Sequence, residues 1–151
     1  MVAARKNSMG STIKIMRPAV QAAATPCPLF TESVPAGFPS PADDYIDSKL
    51  DLNSHLIRHP AATFFVRADG DSMTEAGIFH GDILIVDRAL KPVDKSVVIA
   101  VIDGEMTVKR LRKSGGKMAL MPDNGDYEPL RVSGDMNCEI WGVVTTAIHE
   151  L

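Results

Sequence analysis

The sequence predicts a mostly β domain with one short helix, preceded by a flexible, extended N-terminal arm. From Ala61 onward, short apolar runs rich in β-branched residues alternate with turns rich in Gly, Asn and Asp, which is the pattern of strands joined by tight turns. Residues 26–44 carry five prolines, and proline favours extended backbone both at its own position and at the one before it. A chain of 151 residues suits one compact domain of this kind.

Six runs in the second half of the chain are predicted to be strands. They are TFFVRA at 63–68, DILIVD at 82–87, SVVIAVID at 96–103, MTVKRL at 106–111, KMALMP at 117–122 and EIWGVVTTAI at 139–148. The pair Asp103-Gly104 separates two of these runs by two residues, which is a strong signal for a tight β-hairpin. Short connections of this kind join neighbouring strands in opposite directions, so the sheet is expected to be mainly antiparallel.

The first half of the chain contains one helical pattern. Within residues 45–59 the apolar positions 46, 50, 52, 56 and 57 follow a roughly helical spacing, and Pro60 is expected to end the helix. Residues 1–26 show no periodicity that would bury a face, so they are expected to be disordered or weakly helical. The predicted division is an arm at 1–45, followed by a folded domain at 46–151.

Charge and hydropathy exclude several classes of protein. The net charge is −3, but residues 1–36 hold four basic residues against Glu32 alone, so this segment carries +3 and the remainder −6. An acidic body argues against direct, sequence-specific binding to DNA. The apolar run SVVIAVI is far too short to span a bilayer, and the leader lacks the apolar core of a signal peptide. A cytoplasmic protein that does not bind membranes is therefore predicted.

No metal, cofactor or disulfide site is predicted. His55 and His59 lie four residues apart, but no further ligands accompany them, so they are interpreted as solvated helix residues. Cys27 and Cys138 lie far apart in the sequence and form no recognisable disulfide framework.

Ser72, in the stretch Gly70-Asp71-Ser72-Met73, is either an ordinary turn serine or a nucleophile. A nucleophilic serine needs a base to activate it, and the four histidines are not followed by acidic residues in any familiar hydrolase order. Lysine is the remaining base, because a lysine surrounded by apolar groups loses its charge readily, whereas arginine does not. Lys109 and Lys113 are both eligible from the sequence.

Four blocks in fixed order resemble the LexA/UmuD family of self-cleaving proteins. They are GDSMTEAGIFHGDILIVD, VVIAVIDGEMTVKRL, MPDNGDYEP and WGVVTTAI, and the segment from Pro28 to Met73 resembles the UmuD-type mutagenesis proteins in particular. The resemblance runs from Pro28 to the C-terminus, and it implies a LexA C-terminal-like antiparallel β domain. Since it starts near Pro28, Met9 and Met16 are alternative start positions to Met1.

The resemblance also implies a site. Ser72 would be the nucleophile of a serine peptidase and a neutral Lys109 its base, with the backbone N–H groups of Asp71 and Ser72 holding the oxyanion. The self-cleavage bond would be Ala36-Gly37. The small side chain of Ala36 and the absence of one at Gly37 would let the backbone approach the nucleophile closely.

The implied function is that of an SOS-response mutagenesis subunit. A RecA–single-stranded-DNA filament would stimulate the cut, and residues 37–151 would then act with a UmuC-like Y-family polymerase in translesion synthesis, with a homodimer in both forms. Two alternatives stay open: a non-cleaving regulatory binding module and a LexA-like repressor fragment. The second is disfavoured because residues 1–36 cannot supply a helix-turn-helix.

Overall fold

The computed structural model describes residues 15–16, 23–30, 36–37 and 46–151. These residues form β1 (Ile15–Met16), β2 (Cys27–Phe30), β3 (Ile46–Leu50), α1 (Leu52–Leu56), β4 (Thr63–Arg67), β5 (Ile83–Asp87), β6 (Val97–Ile102), β7 (Glu105–Ser114), β8 (Lys117–Met121), β9 (Leu130–Arg131) and β10 (Cys138–Ile148). Two short 3-10 helices lie at Pro60–Ala62 and Thr74–Ala76. Contacts divide the described residues into two units, one within Ala19–Arg58 and the other made of 15–16 and 59–151.

The larger unit is built on one sheet of eight strands in the order β1-β4-β5-β10-β6-β7-β8-β9. Every pairing in it is antiparallel, which confirms the predicted fold class and all six predicted strands. The predicted hairpin is present between β6 and β7, where Asp103 and Gly104 have φ of 49° and 87°. Positive φ at both central residues is the requirement of a type I′ turn. The short strand β9 was not predicted.

The core lies on both faces of the sheet because the central strands are buried on both sides. Along β6, Ile99 joins one apolar cluster, while its neighbours Val98 and Ala100 join another. This division follows from the alternation of side chains along a strand. In β10, a Cβ placed on Gly142 would lie 2.6 Å from a methyl carbon of Val86. Glycine at this position therefore lets β5 and β10 approach closely.

The smaller unit contains a two-stranded antiparallel sheet of β2 and β3, followed by α1. The prediction of helix from residue 45 was wrong for its first half, because Ile46–Leu50 pairs with β2 as a strand. The helix starts only after Asp51, whose side chain accepts a hydrogen bond of 3.0 Å from the Asn53 N–H. The cap at Asp51 marks the start of the helix, whereas apolar spacing alone placed that start too early in the chain.

The N-terminal region also departs from its prediction at one point. Ile15 and Met16 form β1 and pair with Val66 and Phe65 of β4, where neither a strand nor order was expected. Hydrogen bonding to the edge of a distant strand leaves no periodic signal in so short a segment. The rest of residues 1–22 lies outside the described residues. The division of domains between residues 45 and 46 stays a prediction.

Candidate active site

Ser72 lies in a turn that follows β4 and is anchored in the core by its neighbour Met73. Met73 is only 1% exposed and belongs to the same apolar cluster as Val66 and Ile99. Gly70, with φ of 86°, takes the left-handed backbone conformation that the turn needs. Met73 also accepts hydrogen bonds at its carbonyl from the N–H groups of Ala76 and Ile78, at 3.0 and 3.2 Å. The burial of Met73 therefore fixes the backbone next to the Ser72 hydroxyl.

Lys109 lies on β7 and reaches the Ser72 hydroxyl directly. Its Nζ is 2.9 Å from Ser72 Oγ, 3.1 Å from Thr107 Oγ1 and 3.0 Å from the Val108 carbonyl oxygen. Three acceptors match the three N–H groups of an ammonium. A neutral amine keeps two donors and gains a lone pair, so the same arrangement lets Nζ accept the proton of Ser72 while it still donates to Val108 and Thr107.

Burial changes the protonation of Lys109. A cleft of about 40 Å³ contains both Ser72 and Lys109. Its wall includes the apolar side chains of Val66, Leu84, Ile99, Met106 and Val108. Desolvation in this cleft lowers the pKa of Lys109 from 10.5 to about 8. The neutral fraction at pH 7 rises roughly 300-fold as a result, to about a tenth of the molecules.

The other candidate lysine is not brought to Ser72. Lys113 lies further along β7, where its side chain is exposed and its Nζ donates to the Pro92 carbonyl at 3.0 Å. Arg110 points to a different partner again, with Nε 2.6 Å from the carboxylate of Asp123. The sequence pattern left Lys109 and Lys113 both eligible, the family resemblance selected Lys109, and of the two it is Lys109 whose Nζ lies within hydrogen-bond distance of Ser72.

A loop between β8 and β9 holds the turn that carries Ser72, and sequence reasoning missed this contact. Asn124 donates from its amide to the Asp71 carbonyl at 2.8 Å, and the Tyr127 hydroxyl donates to the Asp71 carboxylate. That hydrogen bond, followed by burial, raises the pKa of Tyr127. The N–H of Glu75 donates to the Asp123 carbonyl at 2.8 Å. In the sequence Asn124 belongs to the turn DNGD, and both Asn124 and Tyr127 belong to the block MPDNGDYEP that carries the resemblance, but neither pattern pointed to Asp71 as their partner.

The backbone N–H groups of Asp71 and Ser72, predicted to hold an oxyanion, belong to this same turn. Within residues 46–151 the structure gives the Ser72 N–H no acceptor, so that donor is available to a ligand. The Asp71 carbonyl and carboxylate are both held by the β8–β9 loop, which restrains the peptide that precedes Ser72. Their role as an oxyanion hole stays a prediction.

Ala36 and Gly37, the predicted cleavage site, lie in the smaller unit. Both residues are exposed. A Cβ placed on Gly37 would meet no heavy atom within 4 Å. The structure therefore imposes no local steric requirement for glycine at this position.

Three of the four histidines pair with carboxylates, and none of these three contacts Ser72. The pairs are His59 with Asp87 at 2.6 Å, His149 with Asp82 at 2.7 Å and His80 with Asp69 at 3.0 Å. His59 is exposed, as the interpretation of a solvated residue expected, but it does not lie on the helix, because α1 ends at Leu56, and its Nδ1 contacts the buried Asp87. Sequence order hid these pairs because each joins residues that are distant in the chain or lie in a loop.

The described residues hold neither a metal-ligand cluster nor a helix that could span a membrane. No group of three or more His, Cys, Asp or Glu there is arranged to hold a metal ion. Among those residues no helix has the length and apolar character needed to cross a membrane. Cys27 and Cys138 are both free thiols.

The chain is similar in sequence to several known proteins. Residues 28–145 match the peptidase S24-like family. The protein SamA of Salmonella typhimurium is 54% identical over 123 residues, covering 82% of this chain and 85% of SamA. MucA of Escherichia coli is 43% identical over 124 residues, covering 82% and 84%. The LexA repressor of Clostridium perfringens is 35% identical over 109 residues, covering 72% of this chain and 52% of the repressor. The chain therefore belongs to the peptidase S24-like family, as its resemblance to LexA and UmuD predicted.

Proposed function

We propose that this protein is a UmuD-like SOS mutagenesis subunit that cuts its own chain at Ala36-Gly37, with Ser72 as nucleophile and Lys109 as base. The observation that carries the proposal is the 2.9 Å contact between Lys109 Nζ and Ser72 Oγ, in a cleft that lowers the pKa of the lysine to about 8. A nucleophilic serine needs a neutral base within hydrogen-bond reach, and this geometry supports both requirements.

The chemistry follows from these positions. Neutral Lys109 takes the proton of Ser72 as Oγ attacks the carbonyl carbon of Ala36, and the oxyanion that forms accepts hydrogen bonds from the N–H groups of Asp71 and Ser72. Protonated Lys109 then gives its proton to the amine of Gly37, which leaves. Lys109 then takes a proton from water, which attacks the ester carbon of Ala36, and gives that proton to Ser72 Oγ as the bond between Oγ and Ala36 breaks. The proton balance closes, and the lysine returns to its neutral form.

The size of the cleft supports the choice of bond. A volume of about 40 Å³ beside Ser72 admits only a small group, in contrast to the 300–1,000 Å³ or so that is typical of small-molecule pockets. The methyl of Ala36 is such a group. Glycine on the other side of the bond adds no side chain to the approach.

The biological role is carried over from the family resemblance. A RecA–single-stranded-DNA filament stimulates the cut, and the product, residues 37–151, acts with a UmuC-like Y-family polymerase in translesion synthesis. The protein is a homodimer before and after cleavage. Sedimentation at micromolar concentration is expected to give a dimer. A monomer at that concentration would contradict the homodimer that the family resemblance implies.

The experiment is incubation of the purified protein with RecA, single-stranded DNA and nucleotide, followed by intact-mass measurement. The expected result is one new N-terminus at Gly37, formed faster with the filament than without it. Ser72→Ala is the matched negative control. A wild-type chain that stays whole under activating conditions would favour the alternative, a non-cleaving regulatory module.

A further inference from the structure

The cleft beside Ser72 belongs to the larger unit of the fold. The residues that line it all lie between Val66 and Lys109. The nucleophile, its base and the apolar wall are therefore supplied by one unit, whereas the bond of the proposed self-cleavage lies in the other. Ser72 is half-buried, so part of the residue is open to solvent. A carbonyl group that arrives from solution can therefore meet the same nucleophile.

The apolar wall of this cleft has a fully buried part and a half-buried part. Val66, Leu84 and Ile99 are at most 1% exposed, and close packing in the core leaves these side chains little room to move. Met106 and Val108 of β7 are only half-buried, so they lie where the cleft meets the surface. Met106 has the longer and more flexible side chain of the two. Shortening it would therefore enlarge the cleft the most.

The volume of the cleft limits the acyl group that it can hold. About 40 Å³ beside Ser72 admits a small group such as a methyl. A longer acyl chain would have to displace atoms of the wall. In an apolar pocket one methylene changes the rate by about tenfold or more. The cleft therefore favours acetyl and propionyl groups over longer ones.

We propose that Ser72 and Lys109 also form an esterase site that takes acetyl and propionyl esters from solution, and that Met106 limits the length of the acyl chain. This inference rests on the proposed roles of Ser72 and Lys109 as nucleophile and base, and it names a second substrate class for the same site. An ester is an easier substrate than the Ala36-Gly37 bond, because an amine must be protonated before it leaves, whereas a phenolate leaves as it is.

The reaction balances without any further reactant than water. Neutral Lys109 takes the proton of Ser72 as Oγ attacks the acyl carbon of the ester. The bond between that carbon and the alcohol oxygen breaks, and the alcohol leaves with the proton from Lys109. Lys109 then takes a proton from water, which attacks the acyl carbon on Ser72, and gives that proton to Oγ as the acid leaves. One ester and one water become one acid and one alcohol.

The test uses the full chain and two soluble probes, 4-nitrophenyl acetate and 4-nitrophenyl butyrate, at pH 8, where about half of Lys109 is neutral. Release of 4-nitrophenol from the acetate should be at least about tenfold faster with the wild type than with Ser72→Ala or Lys109→Ala. The wild type should hydrolyse the acetate at least about tenfold faster than the butyrate. Lys113→Ala is the control that should keep both rates.

Met106→Ala tests the limit on chain length. It should lower the ratio of the acetate rate to the butyrate rate by at least about fivefold, because the shorter side chain leaves room for further methylenes. Met118→Ala is the matched control, since Met118 is a half-buried methionine on β8 that packs against the other apolar cluster. It should leave the ratio unchanged. A ratio of two rates in one sample does not depend on how much of the variant is folded.

Intact mass of the same samples records whether the chain cuts itself, which separates this proposal from the proposed self-cleavage. A wild-type chain that is cut at Gly37 but hydrolyses neither probe faster than Ser72→Ala would overturn the esterase alone. A rate ratio that Met106→Ala leaves unchanged would also overturn the proposal. A chain that hydrolyses the acetate through Ser72 but stays whole with the RecA filament would support the esterase and contradict self-cleavage.

Discussion

The proposed reaction brings together the turn at Gly70–Met73 and the bond at Ala36-Gly37. These two regions differ in how firmly other residues hold them. The turn is held from three sides, by the buried Met73, by Asn124 and Tyr127 on Asp71, and by Lys109 on Ser72. Ala36 and Gly37 are exposed, and the space around Gly37 is open.

This difference indicates where control of the reaction lies. Ser72, Lys109 and the supporting loop are already in hydrogen-bonding geometry, so the proposed reaction would need little reorganisation of these groups. In the proposed reaction, the step that a regulator would act on is the approach of the Ala36-Gly37 bond to Ser72. A stimulating partner is therefore expected to change the docking of that segment, and to leave the contact between Ser72 and Lys109 as it is.

The largest effect is expected from removing either member of the pair. Ser72→Ala and Lys109→Ala should each lower the self-cleavage rate by about a thousandfold or more, because one removes the nucleophile and the other its base. Intact mass over time measures the rate. Lys113→Ala is the matched control, since its Nζ donates to Pro92 and does not reach Ser72. Loss of cleavage in Lys113→Ala with a normal melting temperature would contradict the assignment.

A second comparison uses two glycines. Gly37→Trp should leave the melting temperature unchanged, because the site is open, yet reduce cleavage by about a hundredfold or more, because the indole would crowd the docked bond. Gly142→Ala should instead affect stability. It should lower the free energy of unfolding by about 1–3 kcal/mol, because the added Cβ would lie 2.6 Å from a methyl carbon of Val86. Normal cleavage of Gly37→Trp would exclude Ala36-Gly37 as the site.

The loop that supports the turn gives a smaller effect. Tyr127→Phe removes the hydroxyl that donates to the Asp71 carboxylate and keeps the ring, so it should slow cleavage by about tenfold through a looser turn. The pH at which the rate levels off should not move, because Lys109 is untouched. A shift of that pH in Tyr127→Phe would show that the loop acts on the lysine and not on the turn.

The smallest effect concerns stability. The pKa of Lys109 is about 8 in the folded chain against an ordinary 10.5, so the folded state binds fewer protons between these values, and stability rises with pH across that window. Below pH 8 Lys109 is protonated in both states, so the full cost of burying its charge lowers the stability of the folded state. In a Ser72→Ala background, Lys109→Met should therefore raise stability at pH 7 by about 1 kcal/mol, or roughly 3 °C, and by less at pH 10. Calorimetry at the two pH values measures this, and a gain that does not shrink at pH 10 would contradict burial as its cause.

Six of the eight strands of the large sheet, all except β1 and β9, could be predicted because each of the six carries its own signal, such as the β-branched run of β6 and the Asp103-Gly104 turn. The pairing of Ser72 with Lys109 could be anticipated only through the family resemblance, since periodicity says nothing about which lysine meets which serine across the fold. Contacts between residues distant in the chain could not be predicted, because they have no pattern in the local sequence. Examples are the pairing of β1 with β4 and the hydrogen bonds of Tyr127 with Asp71 and of His59 with Asp87. β3 was misread because apolar spacing over five residues fits a strand and a helix alike.

The assignment of Lys109 as the base is decided by the pH dependence of unassisted self-cleavage in the wild-type chain and in Lys109→Arg. For the wild type, the rate should rise about tenfold per pH unit and level off near pH 8, following the neutral fraction of a lysine whose pKa is about 8. Lys109→Arg should not cleave at any pH in this range, because a guanidinium stays protonated. A Lys109→Arg chain that cleaves with the wild-type profile would show that another group takes the proton of Ser72.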